Sequence, residues 1–198
     1  MNKFYQLVYS VLWVLAKILY PWKAIGAENL PETGGVVLCA NHTSFLDPIH
    51  VILGATKKRQ IHVMAKVELF KIPVLNWILK GIEMIPVKRG MSDITAIKEG
   101  LRVLKNDKPL LIFPEGTRVK EGQQADAHPG AVVIAARAGV PVLPVYVDVK
   151  KRLFRKTCVV FGTPYELQFA GRKPTHEESQ RLTEDLMARI RALGEEVV

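Results

Sequence analysis

The chain has 198 residues, 48 % of them hydrophobic and 24 % charged, which fits one globular domain and excludes a disordered or collagen-like chain. Lys and Arg exceed Asp and Glu by 28 − 19 = 9, so the expected partner is anionic: nucleic acid, an acidic membrane surface or a phosphorylated substrate. Two cysteines, Cys39 and Cys158, exclude a disulfide scaffold and read as buried free thiols within the apolar runs VVLCA and TCVVF.

The first element, Phe4 to Tyr20, is apolar apart from Gln6, Ser10 and Lys17, and it stops at Pro21-Trp22-Lys23. As a helix it reaches about 25 Å, short of the ~30 Å hydrocarbon core. It lacks the small-residue cleavage site of a secretory signal. Tyr5, Tyr9, Trp13, Tyr20 and Trp22 suit a lipid–water boundary, and Lys3, Lys17 and Lys23 can snorkel to headgroups. Residues 1–22 therefore read as a shallow anchor at the cytoplasmic face of the cell membrane, monotopic or peripheral. The alternative is a core helix packed on the domain formed by residues 23–198.

Beyond Pro21, short strands and helices alternate. Strands are expected at 35–40, 61–65, 82–87, 109–113, 140–149 and 157–162. Helices are expected at 47–53, at 73–79, from an N-cap at Ser92 through Leu104, and at 130–138. A last helix starts at the capping box Thr175-x-x-Glu178. This pattern predicts an α/β fold with a mostly parallel central sheet flanked by helices, whose ligands gather at the carboxyl ends of the strands.

Two strand exits carry chemistry. The first is Asn41-His42-Thr43-Ser44-Phe45-Leu46-Asp47. If its turn folds back, Asp47 accepts a hydrogen bond from one His42 ring nitrogen, fixes the tautomer and leaves the other nitrogen as a base. No G-x-S-x-G is present and neither cysteine lies in a nucleophile motif, so such a dyad would act on a hydroxyl brought by the substrate. The plain alternative is a helix N-terminus with Asp47 in a structural role. A metal site of His42, Asp47 and His50 lacks a supporting cluster, and Ser44 stands too close in sequence to His42 to serve as a hydrolase nucleophile. The second exit is Phe113-Pro114-Glu115-Gly116-Thr117-Arg118, a glycine turn whose amides, with Thr117 and Arg118, can hold an anion. The alternative is a tight turn with a surface ion pair.

Together these blocks resemble the glycerolipid acyltransferase family, most closely its bacterial 1-acyl-sn-glycerol-3-phosphate branch. Asn41-His42 through Asp47 matches the N-H-x4-D block and Phe113 to Arg118 the F-P-E-G-T-R block. Lys66-Val67-Glu68-Leu69, Pro73 and Gly81 through Arg89 resemble the second block, and Val140 to Val145 the fourth. The likeness covers roughly residues 21–165. It implies transfer of a fatty acyl group from an acyl thioester, acyl-CoA or acyl-carrier protein, to the sn-2 hydroxyl of lysophosphatidic acid, giving phosphatidic acid for phospholipid biosynthesis. His42 would be the base and Asp47 its orienting partner. Arg89, Glu115, Gly116, Thr117 and Arg118 would hold the phosphoglycerol. No metal or organic cofactor and no nucleic acid is implied.

The chain departs from the family at Val119, where Ser is common, and at His128, where many members carry Lys. The lysine-linked anion role therefore does not carry over to His128, and the acceptor is less firmly fixed. The basic clusters Lys57-Lys58-Arg59, Lys150-Lys151-Arg152 and Arg155-Lys156 read as exposed patches, solvated or facing headgroups, an acidic carrier or coenzyme A phosphates. The competing readings are transfer to another lysophospholipid and a non-catalytic basic membrane-binding module.

Overall fold

The computed structural model describes residues 2–55, 57–88, 93–119 and 126–195. In chain order it places α1 at Lys3–Leu19, β1 at Trp22–Ile25, β2 at Val36–Ala40, α2 at Asp47–Gly54 and β3 at His62–Lys66. There follow α3 at Pro73–Gly81, β4 at Ile85–Val87, α4 at Ile94–Lys105 and β5 at Pro109–Ile112. The chain continues through α5 at Gly130–Ala138, β6 at Val142–Val147, β7 at Thr157–Phe161 and α6 at His176–Glu195.

The strands form one seven-stranded sheet in the order β1-β7-β6-β2-β5-β3-β4. Every neighbouring pair is parallel except β6 with β7. Parallel sheets are covered on both faces, and the central strand β2 shows why its sequence is apolar throughout. Val37 and Cys39 pack with Val103, Ile134 and Leu186 from α4, α5 and α6 on one face. Val36, Leu38 and Ala40 pack with Val51 of α2 on the other. A strand so enclosed carries its first polar residues, Asn41 and His42, only where it leaves the sheet.

The expected α/β architecture is present, with local differences. The strand expected from residue 82 begins at Ile85, because Ile82 and Glu83 form a turn with Glu83 at φ 60°. The strand expected over 140–149 is Val142–Val147, since Val140 N–H is still bonded to the Ala135 carbonyl at the end of α5. Ser92 lies outside the described residues, and the Asp93 side chain caps α4 by accepting from Ala96 N–H. The Thr175–Glu178 capping box is formed reciprocally. Trp22–Ile25 pairs with β7, so Trp22 belongs to the sheet rather than to the preceding helix. Cys39 is buried, whereas Cys158 is half-buried.

Helix α1 has two different sides. Tyr5 and Tyr9 pack against Leu53 and Ile82, and Asn2 caps the helix while its amide donates to the Gly81 carbonyl. Gly81 permits this approach: a Cβ there would sit 2.4 Å from Phe4 Cε1. On the other side Leu7, Val11, Val14, Leu15 and Ile18 are exposed. Among the described residues no helix is long and apolar enough to cross a membrane.

Candidate active site

The geometry starts with Asn41. Its side chain exchanges two hydrogen bonds with the Val147 backbone at the end of β6, which anchors the turn leaving β2. The next residue, His42, donates its backbone N–H to Glu115 Oε2 at 2.5 Å, and its carbonyl accepts from Val119 N–H at 2.8 Å. Register explains the first bond. Cys39 is paired with Ile112, and continuing both strands by three residues brings His42 opposite Glu115.

Residues 43–46 then fold back so that Asp47, the first residue of α2, meets the His42 ring. Asp47 Oδ2 lies 3.0 Å from His42 Nδ1 and accepts from Thr43 N–H at 2.6 Å and Ser44 N–H at 2.7 Å. Its other oxygen, Oδ1, pairs with Lys151 Nζ at 2.5 Å. The carboxylate is fully buried, 0 % exposed. Burial alone would raise its pKa, but the hydrogen bond from His42, the Lys151 charge and the Ser44 amide outweigh it and hold the group below the usual range. Asp47 is therefore an anion across the physiological range, and its bond to Nδ1 sets the ring's tautomer. The Phe113 ring stacks on the imidazole at 4.2 Å between centroids. Among the described residues nothing hydrogen-bonds Nε2, and no side-chain hydroxyl or thiol reaches the ring.

The second exit forms the adjacent wall. Burial pushes the Glu115 carboxyl up to about 7, against the His42 amide that lowers it. Gly116 adopts a left-handed φ of 62°, and its N–H closes a tight turn on the Phe113 carbonyl. A Cβ at Gly116 would lie 2.9 Å from His128 Cδ2, while the His128 N–H bonds the Pro114 carbonyl at 2.8 Å. His128 thus packs behind the turn. Thr117 and Arg118 are exposed on the rim, and the Arg118 guanidinium lies 3.5 Å over the Phe45 ring.

The structure brings His42, Asp47, Glu115 and Gly116 together and places Arg118 at their edge. Arg89 lies outside the described residues. Its strand, β4, runs parallel to β3 and so exits at the same end of the sheet as β5. His50 makes no hydrogen bond to Asp47. Its Nε2 is 3.1 Å from the Tyr20 carbonyl, and burial lowers its pKa. Two expected surface cations are corrected. Arg59 donates to the carbonyls of Pro31, Gly34 and Asp107, each at 2.5 Å, and Lys151 is buried on Asp47. Sequence reasoning missed Lys151 because it is the middle of a basic run. It also gave no part to Asn41's lock on β6 or to the Phe113 stack.

A histidine oriented by a buried anion at the end of a parallel sheet, with no side-chain nucleophile at its other nitrogen among the described residues, suits a class of enzyme whose substrate supplies the attacking group. A family model described as Acyltransferase matches residues 22–148, and the chain belongs to that family. It is similar to the 1-acyl-sn-glycerol-3-phosphate acyltransferase of Bacillus subtilis, with 31 % identity covering 96 % of each chain. It is similar also to the chloroplastic 1-acyl-sn-glycerol-3-phosphate acyltransferase of Arabidopsis thaliana, with 34 % identity over 73 % of this chain. It spans only 41 % of that plant relative's length and 42 % of its Brassica napus counterpart's. Among solved structures it resembles the 1-acyl-sn-glycerophosphate (LPA) acyltransferase PlsC of Thermotoga maritima, with a TM-score of 0.68 and 27 % identity. That match covers 98 % of this chain and 77 % of the other.

Proposed function

We propose that this protein transfers a fatty acyl group from an acyl thioester to the sn-2 hydroxyl of 1-acyl-sn-glycerol 3-phosphate, giving phosphatidic acid. The observation that carries this reading is the His42–Asp47 pair, whose Nδ1 lies 3.0 Å from the carboxylate and whose Nε2 has no hydrogen-bond partner among the described residues. The names of the full-length Bacillus relative and of the Thermotoga structure support the substrate. His42 Nε2 takes the proton of the acceptor hydroxyl as its oxygen attacks the thioester carbonyl. The tetrahedral intermediate collapses with loss of the thiolate, and the imidazolium returns the proton to that sulfur. A thioester is already an activated acyl donor, so no covalent enzyme intermediate is required. The turn at Glu115-Gly116-Thr117, with Arg118 and Arg89, receives the acceptor's phosphoglycerol end. The donor is a thioester of coenzyme A or of an acyl-carrier protein, and no metal or organic cofactor enters the reaction.

The place of work is a membrane surface. The exposed side of α1 continues at one end to Trp77 of α3, which packs on Phe4, and at the other to Phe154, whose N–H bonds the Leu19 carbonyl. Lys17 lies over the Trp13 and Trp22 rings, as a snorkelling lysine would. An apolar groove between α1 and α2, lined by Tyr9, Leu12, Pro48 and Ile52, begins one residue from Asp47. The test is product analysis by mass spectrometry with mixed lysophospholipids, monoacylglycerol and both donor types. Phosphatidic acid as the dominant product supports the reading. Equal use of monoacylglycerol removes the phosphate site, and vesicle binding without turnover of either donor removes the catalytic reading.

A further inference from the structure

The connection between β6 and β7 carries the run Lys150-Lys151-Arg152, and its middle member turns inward. The Lys151 side chain is 4 % exposed. Its Nζ lies 2.5 Å from Asp47 Oδ1 and 3.0 Å from Thr43 Oγ1, and it also donates to the Asp148 carbonyl. A buried ammonium persists only when paired and hydrogen-bonded, and here carboxylate, hydroxyl and carbonyl all serve it. The two Asp47 oxygens have separate partners: Oδ2 takes the His42 ring and two backbone amides, and Oδ1 takes Lys151.

We propose that Lys151 is a positioning residue that grips Asp47 by its second oxygen and offsets its charge, so that Asp47 orients the His42 ring without trapping it as imidazolium. The proposal rests on His42 being the base. A base must be neutral before it accepts the hydroxyl proton. An uncompensated buried carboxylate at Nδ1 would stabilise the protonated ring and keep it unreactive to higher pH. A positive charge on the far oxygen opposes that effect. Among the described residues, the other charged or titratable groups around the pair are Glu115 on the β5 exit, His50 on α2, Asp148 beside Lys151, Arg118 on the rim and Arg191 on α6, whose charge acts on Glu115. Among the described residues, Lys151 is the lysine or arginine ion-paired with Asp47.

The test is the pH–rate profile of acyl-CoA transfer to lysophosphatidate for wild type, Lys151→Met, Lys151→Arg and Thr43→Val. In Lys151→Met the acidic limb should move up by about one pH unit, with turnover recovering at alkaline pH. Lys151→Arg, which keeps the charge, should return the limb toward wild type. Thr43→Val removes only the hydroxyl that holds the ammonium, so it should move the limb the same way by less. It carries the test if Lys151→Met does not fold. A purely structural lysine would scale the whole profile down with its limb in place, and that result overturns the proposal. His42→Ala in the same assay separates the two layers. If it is inactive while the limb of the Lys151 or Thr43 variant stays fixed, the base reading stands and the role of Lys151 falls. If His42→Ala is active, both fall.

Discussion

Two buried histidines in this molecule each meet a carboxylate, and the two pairs are built differently. His42 leaves β2 at the end of the sheet, and its partner Asp47 is fully buried, with amides and Lys151 holding it still. Nδ1 is held by Asp47, and among the described residues nothing hydrogen-bonds Nε2. His62 lies within β3, with Nδ1 hydrogen-bonded to Glu83 and Nε2 buried without a hydrogen-bond partner among the described residues. Nδ1 is 3.1 Å from the Glu83 carbonyl, and Nε2 is 3.9 Å from the side-chain oxygen Oε2. Glu83 is 45 % exposed and also lies 3.6 Å from Lys108. Burial lowers the His62 pKa, in keeping with a ring packed inside the sheet. The pairing of residue types alone does not set a ring apart; what distinguishes His42 is its place at a strand exit, against a carboxylate tied by two backbone amides and Lys151.

That contrast is most sharply broken by parallel substitutions. His42→Ala should lower acyl transfer about a thousandfold, the scale of a lost general base, with the fold intact by circular dichroism. His62→Ala should lower the melting temperature while leaving turnover per folded molecule within about twofold of wild type. Next in size is the carboxylate. Asp47→Asn should cost at least about a hundredfold in kcat, because an amide can present the ring with the wrong tautomer. Glu83→Gln should leave kcat unchanged in the same assay.

A smaller effect is expected at the rim. Arg118→Lys should reduce kcat/KM for lysophosphatidate about tenfold, since a lysine loses the planar fork and the stack on Phe45. The KM for the acyl donor should be unaffected. The smallest effect is a pH dependence of stability. Burial pushes the Glu115 carboxyl from an ordinary 4.5 up to about 7. A raised carboxyl contributes stability that is present below pH 4.5 and lost as pH rises through about 7. Across that window wild type should lose melting temperature relative to Glu115→Gln, as read by differential scanning fluorimetry.

The parts of the site that the sequence made legible are the local ones. His42 and Asp47 are joined by one turn, so their meeting needs only that turn to fold back. The Phe113 to Arg118 block follows an apolar run, which fixes its place at a strand end. Arg118 was expected there, and it sits on the rim over Phe45. Lys151 was illegible because its burial depends on a connection between β6 and β7 crossing to the start of α2. In the sequence it is flanked by Lys150 and Arg152, and a basic run looks solvated. Strand β1 was missed for a similar reason. Trp22–Ile25 is short and alternately exposed, and only its register with β7 makes it a strand. His62 and Glu83 meet across two strands and a left-handed turn, which no spacing rule announces.

The central claim is that the substrate's hydroxyl, deprotonated by His42, attacks the thioester directly. The most direct test is a single-turnover experiment with acyl-labelled thioester mixed with enzyme before the acceptor is added. The account predicts no thiol release and no labelled protein until lysophosphatidate arrives, and then equal amounts of thiol and phosphatidic acid. Labelled acyl-protein formed ahead of the acceptor and chased into product would contradict it.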